Sequence, residues 1–216
     1  MFTKYGYNTI GVVAILTFLL IVLSFFVNNQ IFRIILIALP VAFLALTLNF
    51  FRDPDRTPPE RDDVVVSPAD GTVLLVKEIY DQRYLNSEAK QISVFMSPLN
   101  VHVNRIPVSG VVEYLKYVEG KFHTAYSEES ENNNERYETG INTGRGKILF
   151  TQVAGYVARR IINELKVGDT VRTGDRFGMI KFGSRVDVIV PINWQPKVKK
   201  DDKVTAGETI LFEIKD

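Results

Sequence analysis

The sequence predicts a mainly β domain, of the α+β class with little helix, preceded by an N-terminal pair of membrane helices. The first fifty residues contain two long apolar segments, whereas the rest of the 216-residue chain consists of short strand-like segments separated by turns. The strand-like segments are rich in valine, isoleucine and aromatic residues, which suit a pleated sheet. A weak internal repeat near the end favours a compact β-sandwich or barrel-like domain.

The first element is a pair of apolar segments, 10–27 and 31–51, joined by the polar residues 28–30. Each approaches the ~20 residues that a helix needs to cross the hydrocarbon core of a bilayer. Two such helices form a transmembrane hairpin whose ends lie on the same side. Lys4 precedes the first segment and arginines follow the second, so the positive-inside bias predicts that both ends face the cytoplasm. Arg33 lies near a segment end and can extend to the interface.

Other interpretations of these segments are weaker. A cleaved signal peptide needs a small-residue cleavage site, and no convincing one lies between the segments. A core hairpin of a soluble protein would show polar faces. A monotopic hairpin that enters one leaflet stays open. We therefore expect residues 1–51 to anchor the chain in the cell membrane, with the β domain on the cytoplasmic face.

Residues 52–63 form a charged, proline-rich linker. With Phe51, this stretch has three prolines and eight charged side chains in thirteen residues, which cannot continue a membrane helix. The β domain is expected over 64–216. A polar loop is expected over 127–144, and one or two helical turns over 156–165. The predicted strands are 72–79, 91–96, 110–118, 147–153, 177–182 and 185–190.

The internal repeat lies near the C-terminal end of the chain. The segment 166–171 (KVGDTV) resembles 200–205 (KDDKVT), and a Gly-acidic pair follows each, at 174–175 and at 207–208. Repeats of this kind suit a domain of two similar halves.

The composition excludes several classes of function. Without cysteine, the chain has no disulfides, thiolate nucleophiles or zinc–thiolate sites. It has only two histidines, His102 and His123, so no metal site is expected. A formal net charge of +1 provides no basic field for nucleic acid, and no nucleic-acid partner is expected. An enzyme with so few ordinary nucleophiles and bases must use another chemistry.

Two motifs upstream contain candidate acid–base residues. The segment 67–71 (SPADG) contains Asp70, although an Asp-Gly pair is by itself a common turn. The segment 97–107 (SPLNVHVNRIP) contains His102, whose unperturbed pKa near ~6.5 suits a general base at neutral pH. In a strand, His102 and Asn104 share one face.

The segment 182–187 (FGSRVD) contains the candidate reactive serine. A Gly-Ser pair between two strands is usually a turn, and the Gly-x-Ser-x-Gly pattern of hydrolases is absent. The pair does suit self-processing, since Gly183 leaves its carbonyl unhindered and tolerates a strained backbone. The Ser184 hydroxyl can attack that carbonyl once a base removes its proton. A fourth motif, 134–136 (NER), would alone indicate only a solvated loop.

Taken in order, these motifs resemble those of the phosphatidylserine decarboxylases, in their short bacterial and archaeal form. Each motif is weakly informative alone, but the ordered set is highly specific and covers nearly the whole chain. The set consists of 51–56 (FRDPDR), 68–71 (PADG), 97–102 (SPLNVH), 120–122 (GKF), 134–136 (NER), 158–161 (ARRI) and 182–187 (FGSRVD).

The resemblance implies a proenzyme that cleaves itself between Gly183 and Ser184, giving a heterodimer of its own products, 1–183 and 184–216. Ser184 would become a covalent pyruvoyl group, and no external cofactor is implied. The pyruvoyl carbonyl would form a Schiff base with the amine of phosphatidylserine in the membrane and accept the electrons left by carbon dioxide. The product would be phosphatidylethanolamine. The sequence leaves homo-oligomerisation open.

The resemblance also suggests roles for individual residues. Asp70 and His102 are the candidates for activating Ser184, with Asp70 orienting the imidazole. Larger bacterial relatives have a second histidine where this chain has Arg105, so the identity of the base stays open. His123 is an alternative. Arg105 and His123 are also candidate substrate-binding residues, Arg105 for a carboxylate or phosphate.

Two other classes of function compete with this interpretation. A non-enzymatic, membrane-tethered module similar to biotinyl or lipoyl domains would need an exposed lysine in a turn, and Lys181 fits that pattern poorly. A sugar-phosphotransferase-like β domain would need a paired-histidine phosphoryl site. A homologue that acts on a different lipid is the closer alternative.

Overall fold

The computed structural model describes residues 1–120, 134–155, 160–181 and 184–215. The chain divides into two compact units, Met1–Asp55 and Arg56–Asp216. The division falls inside the predicted linker, 52–63.

The first unit is a helical hairpin. A short 3-10 helix, Lys4–Gly6, leads into α1 (Tyr7–Ser24), and α2 follows as Gln30–Phe50. Asn29 caps α2, because its side-chain oxygen accepts the N–H of Phe32 at 3.1 Å. By length and composition both helices can cross a membrane, as the apolar segments predict.

Polar groups inside the hairpin bond to backbone carbonyls. The Thr17 hydroxyl donates to the carbonyl of Pro40 at 3.3 Å and so joins the two helices. Ser24 and Thr47 donate to carbonyls of their own helices, at 2.6 and 2.8 Å. Hydroxyls satisfied in this way suit a low-dielectric surrounding, where an unbonded polar group is costly.

The second unit is a β domain. Its strands within the described residues are β1 (Val64–Val66), β2 (Gly71–Asp81), β3 (Ser87–Met96), β4 (Val103–Arg105), β5 (Gly110–Val118), β6 (Arg136–Asn142), β7 (Lys147–Ala154), β8 (Ile161–Asn163), β9 (Thr170–Val171), β10 (Arg176–Ile180), β11 (Ser184–Pro191), β12 (Gln195–Pro196), β13 (Lys203–Val204) and β14 (Ile210–Glu213).

These strands form one large antiparallel sheet and two small ones. The large sheet has the order β13-β2-β3-β11-β7-β6-β5-β9 and curls into a half-barrel. The small sheets have the orders β1-β14-β12 and β4-β10-β8. The predicted mainly β, barrel-like fold is confirmed. The six predicted strands coincide with β2, β3, β5, β7, β10 and β11; the fifth, 177–182, runs past the end of β10 into Lys181, and residue 182 lies outside the described residues.

Two predictions of local structure were wrong. The polar segment 127–144 was expected to be a loop, but β6 occupies Arg136–Asn142 and pairs with both β5 and β7. The helical turns expected over 156–165 are replaced at Ile161–Asn163 by β8, which pairs with β10. In both places pairing with distant strands outweighs local composition. Residues 121–133 and 156–159 lie outside the described part of the chain.

Alternate residues of β11 face the core between the sheets. Val186, Val188 and Val190 are wholly buried and belong to the main apolar cluster, together with Phe150 of β7. Since side chains alternate along a strand, Ser184 lies on this same face. The candidate reactive residue therefore begins a strand in the interior of the domain.

The internal repeat forms two copies of one turn, each leading into an end strand of the large sheet. Each copy has a residue with positive φ, Gly168 at 97° and Asp201 at 72°. The aspartate that follows accepts a backbone N–H three residues upstream, from Lys166 or Lys199. The repeat thus aligns Lys166 with Lys199, one residue earlier than the sequence comparison with 200–205 indicated. β9 and β13, which follow the turns, are the two ends of the sheet.

The β2–β3 hairpin is closed by the buried carboxylate of Asp81. Its oxygens accept the N–H groups of Tyr84 at 3.0 Å and Leu85 at 2.9 Å, and the Nε–H of Arg83 at 2.8 Å. Burial by itself raises the pKa of Asp81, but these three donors outweigh burial and hold the pKa below its usual value.

We expect Asp81→Asn to lower the free energy of unfolding by about 2 kcal/mol at pH 7, because the amide replaces a charge that three donors stabilise. The folded-state pKa is depressed, so this contribution is present above the unfolded pKa of ~3.9 and is lost as pH falls through the folded value. Denaturant titrations in detergent at pH 7 and pH 3 measure the difference. An equal difference at both pH values would contradict the role of the charge.

Candidate functional site

Ser184 begins β11 in the middle of the large sheet. It lies opposite Met96 of β3 on one side and Ala154 of β7 on the other. All three residues are wholly buried. Pairing on both sides fixes the backbone that follows the predicted cleavage point.

The chain changes sheets immediately before Ser184. β10 ends at Ile180 in a small sheet, and β11 starts at Ser184 in the large one. Three residues therefore connect strands of two different sheets. Gly183, the other half of the predicted scissile pair, lies outside the described residues.

The Ser184 hydroxyl donates to the thioether sulfur of Met96 at 3.3 Å. A thioether is a weak acceptor and does not serve as a base at neutral pH. Among the described residues, the Ser184 hydroxyl therefore has to give up only one weak hydrogen bond before it reacts. Met96 was not a candidate in the sequence, because only the register of β3 and β11 places its side chain here.

His102 lies just before β4 and is wholly buried. Its Nδ1 atom is 2.9 Å from the carbonyl oxygen of Asn100. A carbonyl can only accept, so in the neutral ring Nδ1 carries the proton and Nε2 keeps its lone pair. The backbone carbonyl of His102 accepts the N–H of Ile180 at 3.4 Å, which holds the residue beside the end of β10. His102 is thus in the tautomer whose Nε2 atom can accept a proton.

Asp70 contacts residues other than the expected histidine. One carboxylate oxygen accepts from the Arg56 guanidinium and the other from the Ala206 N–H, both at 2.8 Å. Within the described part of the chain, its side chain has no hydrogen bond to His102. The Asn100 carbonyl takes the place on Nδ1 that Asp70 was expected to hold.

Arg105, which stands where a histidine was expected, is buried beside the two glycines that follow β9 and β13. Its Nη1 donates to the carbonyl of the first, Gly174, at 2.9 Å. A Cβ added at the second, Gly207, would lie 3.0 Å from the Arg105 Cδ. These contacts hold the Arg105 side chain within the fold, and its contact with a substrate anion stays a prediction. The other predicted substrate residue, His123, lies outside the described residues.

Sequence reasoning undervalued Asn134, from the motif 134–136. Asn134 is wholly buried, and its amide donates to the carbonyl of Ala154 at 2.7 Å. Since Ala154 pairs with Ser184, this motif supports the strand next to the candidate reactive residue. The polar surroundings of the motif in the sequence concealed its burial.

Arg185 and Asp187 lie on the face of β11 opposite Ser184. Their side chains are almost fully buried and form an ion pair, with Arg185 Nε 2.9 Å from an Asp187 oxygen. Each charge therefore has its counter-charge two residues away on the same strand. The cation next to Ser184 in the sequence points away from the core face that contains the serine.

Comparisons with known proteins identify the family. Residues 43–212 match the family model described as phosphatidylserine decarboxylase. A relative named phosphatidylserine decarboxylase proenzyme, from Chlorobium phaeovibrioides, is 45% identical and covers 99% of this chain and 97% of its own.

Two further relatives with the same name give the same result. The protein from Chlorobaculum tepidum is 45% identical over 96% of this chain and 95% of its own. The protein from Chlorobium luteolum is 46% identical over 98% of this chain and 99% of its own. These matches do not favour a biotinyl, lipoyl or phosphotransferase-like module. The chain belongs to the phosphatidylserine decarboxylase family.

Proposed function

We propose that this protein decarboxylates phosphatidylserine to phosphatidylethanolamine through a pyruvoyl group made from its own Ser184. Family membership supports the reaction, and the word proenzyme in the names of the relatives supports processing. The observation that carries the proposal is the position of Ser184, wholly buried at the point where the chain crosses between sheets.

Self-cleavage begins when the Ser184 oxygen bonds to the Gly183 carbonyl carbon and its proton passes to a base. The peptide C–N bond then breaks, the Ser184 nitrogen takes up a proton, and an ester links the two residues. Loss of the Ser184 Cα proton breaks the Cβ–O bond and releases the Gly183 carboxylate. Water then displaces the nitrogen as ammonia and leaves a ketone at residue 184.

His102 is the proposed base for the first of these steps. Its Nδ1–H donates to the Asn100 carbonyl, so Nε2 is the ring nitrogen without a proton, which is the chemical form that a general base needs. Arg56 and Ala206 already bind both carboxylate oxygens of Asp70, so Asp70 acts on His102 through its charge and not through a direct hydrogen bond.

The surroundings of Ser184 fit a pyruvoyl group. Its two sheet neighbours, Met96 and Ala154, carry no amine or thiol that would react with a ketone. The group supplies a carbonyl that binds the substrate amine and takes up the electron pair left by carbon dioxide. Burial lowers the polarity around this position, which strengthens electrostatic interactions there, and His102 is the candidate to return a proton.

The proposal includes the membrane. We assign residues 1–51 as an anchor that holds the domain 64–216 at the cytoplasmic face of the cell membrane. A tethered domain meets a lipid headgroup at high effective concentration. Release of carbon dioxide from phosphatidylserine in mixed micelles tests the activity directly, and release only from another lipid would reassign the substrate.

We expect purified protein to consist of two chains, 1–183 and 184–216, because Ser184 cuts the bond before it. Intact-mass measurement should find a ketone in place of the serine at the start of the short chain. Ser184→Ala should remain a single chain, while the control Ser109→Ala, at an exposed serine, should be cleaved like the wild type. A wild-type protein that stays uncleaved would contradict the mechanism.

We expect His102→Ala to slow self-cleavage by about 100-fold or more, since it removes the base. Asp70→Asn should have a smaller effect, and Asp169→Asn, in a turn of the repeat, should have none. The rate is measured as loss of the full-length band after synthesis. Full rates in His102→Ala and Asp70→Asn would remove both from the site, and a defect in His123→Ala alone would make His123 the base.

We expect the two chains to stay together after cleavage. β11 pairs with β3 and β7, and β14 pairs with β1, so the short chain supplies strands to two sheets of the long chain. The chains should co-elute in size-exclusion chromatography in detergent and separate only in denaturant. Separation under native conditions would contradict this arrangement.

A further inference from the structure

Three buried or half-buried side-chain amides connect the large sheet to the small sheet β4-β10-β8, whose strand β10 precedes Ser184 in the chain. Gln152 of β7 donates through Nε2 to the Asn104 oxygen at 2.9 Å. Asn163 of β8 donates through Nδ2 to the Gln152 oxygen at 3.2 Å. The amide relay, as we call Asn163, Gln152 and Asn104, thus crosses from one sheet to the other and back.

Gly178 of β10 makes room for the relay. It pairs with Asn104 on one side and Asn163 on the other, at the centre of the small sheet. A Cβ at this position would lie 3.3 Å from Gln152 Nε2 and would collide with the backbone oxygen of Ile162. Because residue 178 has no side chain, Gln152 can reach both asparagines.

The relay has a fixed direction. The Asn163 oxygen accepts the backbone N–H of Leu165 at 3.0 Å, so its NH₂ group must face Gln152. Each amide then presents its oxygen to the donor behind it and its NH₂ group to the acceptor ahead. Aligned amides in a low-dielectric interior polarise one another, and the donor end of this relay is the NH₂ group of Asn104.

Within the described residues the donor end has only weak acceptors, and it shares one of them with Ser184. Asn104 Nδ2 is 3.8 Å from Met96 Sδ, the same sulfur that accepts the Ser184 hydroxyl at 3.3 Å. Its other contact, with the carbonyl of Pro68, is long at 3.4 Å. Hydrogen bonds of these lengths are weak, so Asn104 keeps donor capacity for a better acceptor.

We propose that the amide relay positions the Asn104 NH₂ group to stabilise the negative charge that develops on the Ser184 oxygen as its proton leaves. The proposal rests on self-cleavage at Ser184, described above. As the base removes the Ser184 proton, negative charge builds on that oxygen before the oxygen bonds to the Gly183 carbonyl carbon. A neutral sulfur is a poor partner for this charge, whereas an N–H held in a buried site is a strong one. Gln152 and Asn163 act through Asn104 and are positioning residues.

This role explains a feature that packing alone does not. Most of the relay is well bonded, which a buried amide requires. In the described part of the chain, the Asn104 NH₂ group, which shares the Met96 sulfur with Ser184, has long contacts instead. An apolar side chain at position 104 would fill the same space without burying a weakly satisfied donor.

The test measures self-cleavage of the full chain in detergent, as the rate at which the full-length band disappears. Asn104→Leu should be about 100-fold slower than wild type, the usual cost of losing one such donor. Gln152→Glu should also be slower, since a carboxylate cannot donate to the Asn104 oxygen. Gln91→Leu is the matched control, because Gln91 is also wholly buried but lies in β3 away from the relay.

A pH profile separates this role from a merely structural one. Asn104→Asp places a carboxylate beside the developing negative charge at neutral pH, whereas the protonated acid regains a donor. The ratio of the Asn104→Asp rate to the wild-type rate should therefore rise as pH falls from 8 to 5. A ratio that stays flat would overturn the proposal, even where Asn104→Leu fails to fold.

The outcomes distinguish the two proposals. If wild type and Ser184→Ala both stay uncleaved, self-cleavage itself is refuted. If wild type is cleaved and both Asn104→Leu and Gln152→Glu are cleaved within twofold of its rate, with unchanged melting temperatures, only the relay is refuted.

Discussion

The pairing of β11 with β3 and β7 is the constraint on which the candidate site depends. It holds Ser184 between Met96 and Ala154 and places the core face of the strand toward the small sheet. It also fixes where the preceding residues must go, because β10 belongs to the other sheet. The proposed scissile bond lies between two strands that cannot slide without losing their registers.

The same pairing requires the domain to bury charge. Arg185 is carried into the interior on the opposite face, where an unpaired cation would cost several kcal/mol. Asp187, on the same face of the same strand, supplies the counter-charge at 2.9 Å. The strand therefore neutralises itself, and the face that carries Ser184 is free of formal charge apart from what the reaction generates there.

The sequence predicted the strands well and the side-chain contacts poorly, for one physical reason. Runs of valine and isoleucine such as those of β11 specify a strand locally, and the segment 182–187 was found from its motif. The contacts of Asp70 and Met96 depend on which strands pair and in which register, and distant residues decide that. For this reason Asp70 binds Arg56 and not His102 as predicted. Gln152 is an amide in an apolar segment, and its sequence alone gave little indication that it forms a buried hydrogen bond to Asn104.

The two turns of the repeat have a further consequence for the large sheet. Each end of a sheet presents unpaired backbone groups on which another chain can pair, a common route to aggregation. Here both ends are strands of two residues, β9 and β13, each followed by a glycine with positive φ, Gly174 and Gly207. These short strands cover only the first two residues of β2 and of β5, at positions 71–72 and 110–111, so within the described residues the rest of β2 and of β5 keeps an outer edge with no strand paired to it. The two end strands therefore block strand addition only at the start of β2 and of β5, and the remaining length of each strand is where an edge-to-edge contact between two copies would form.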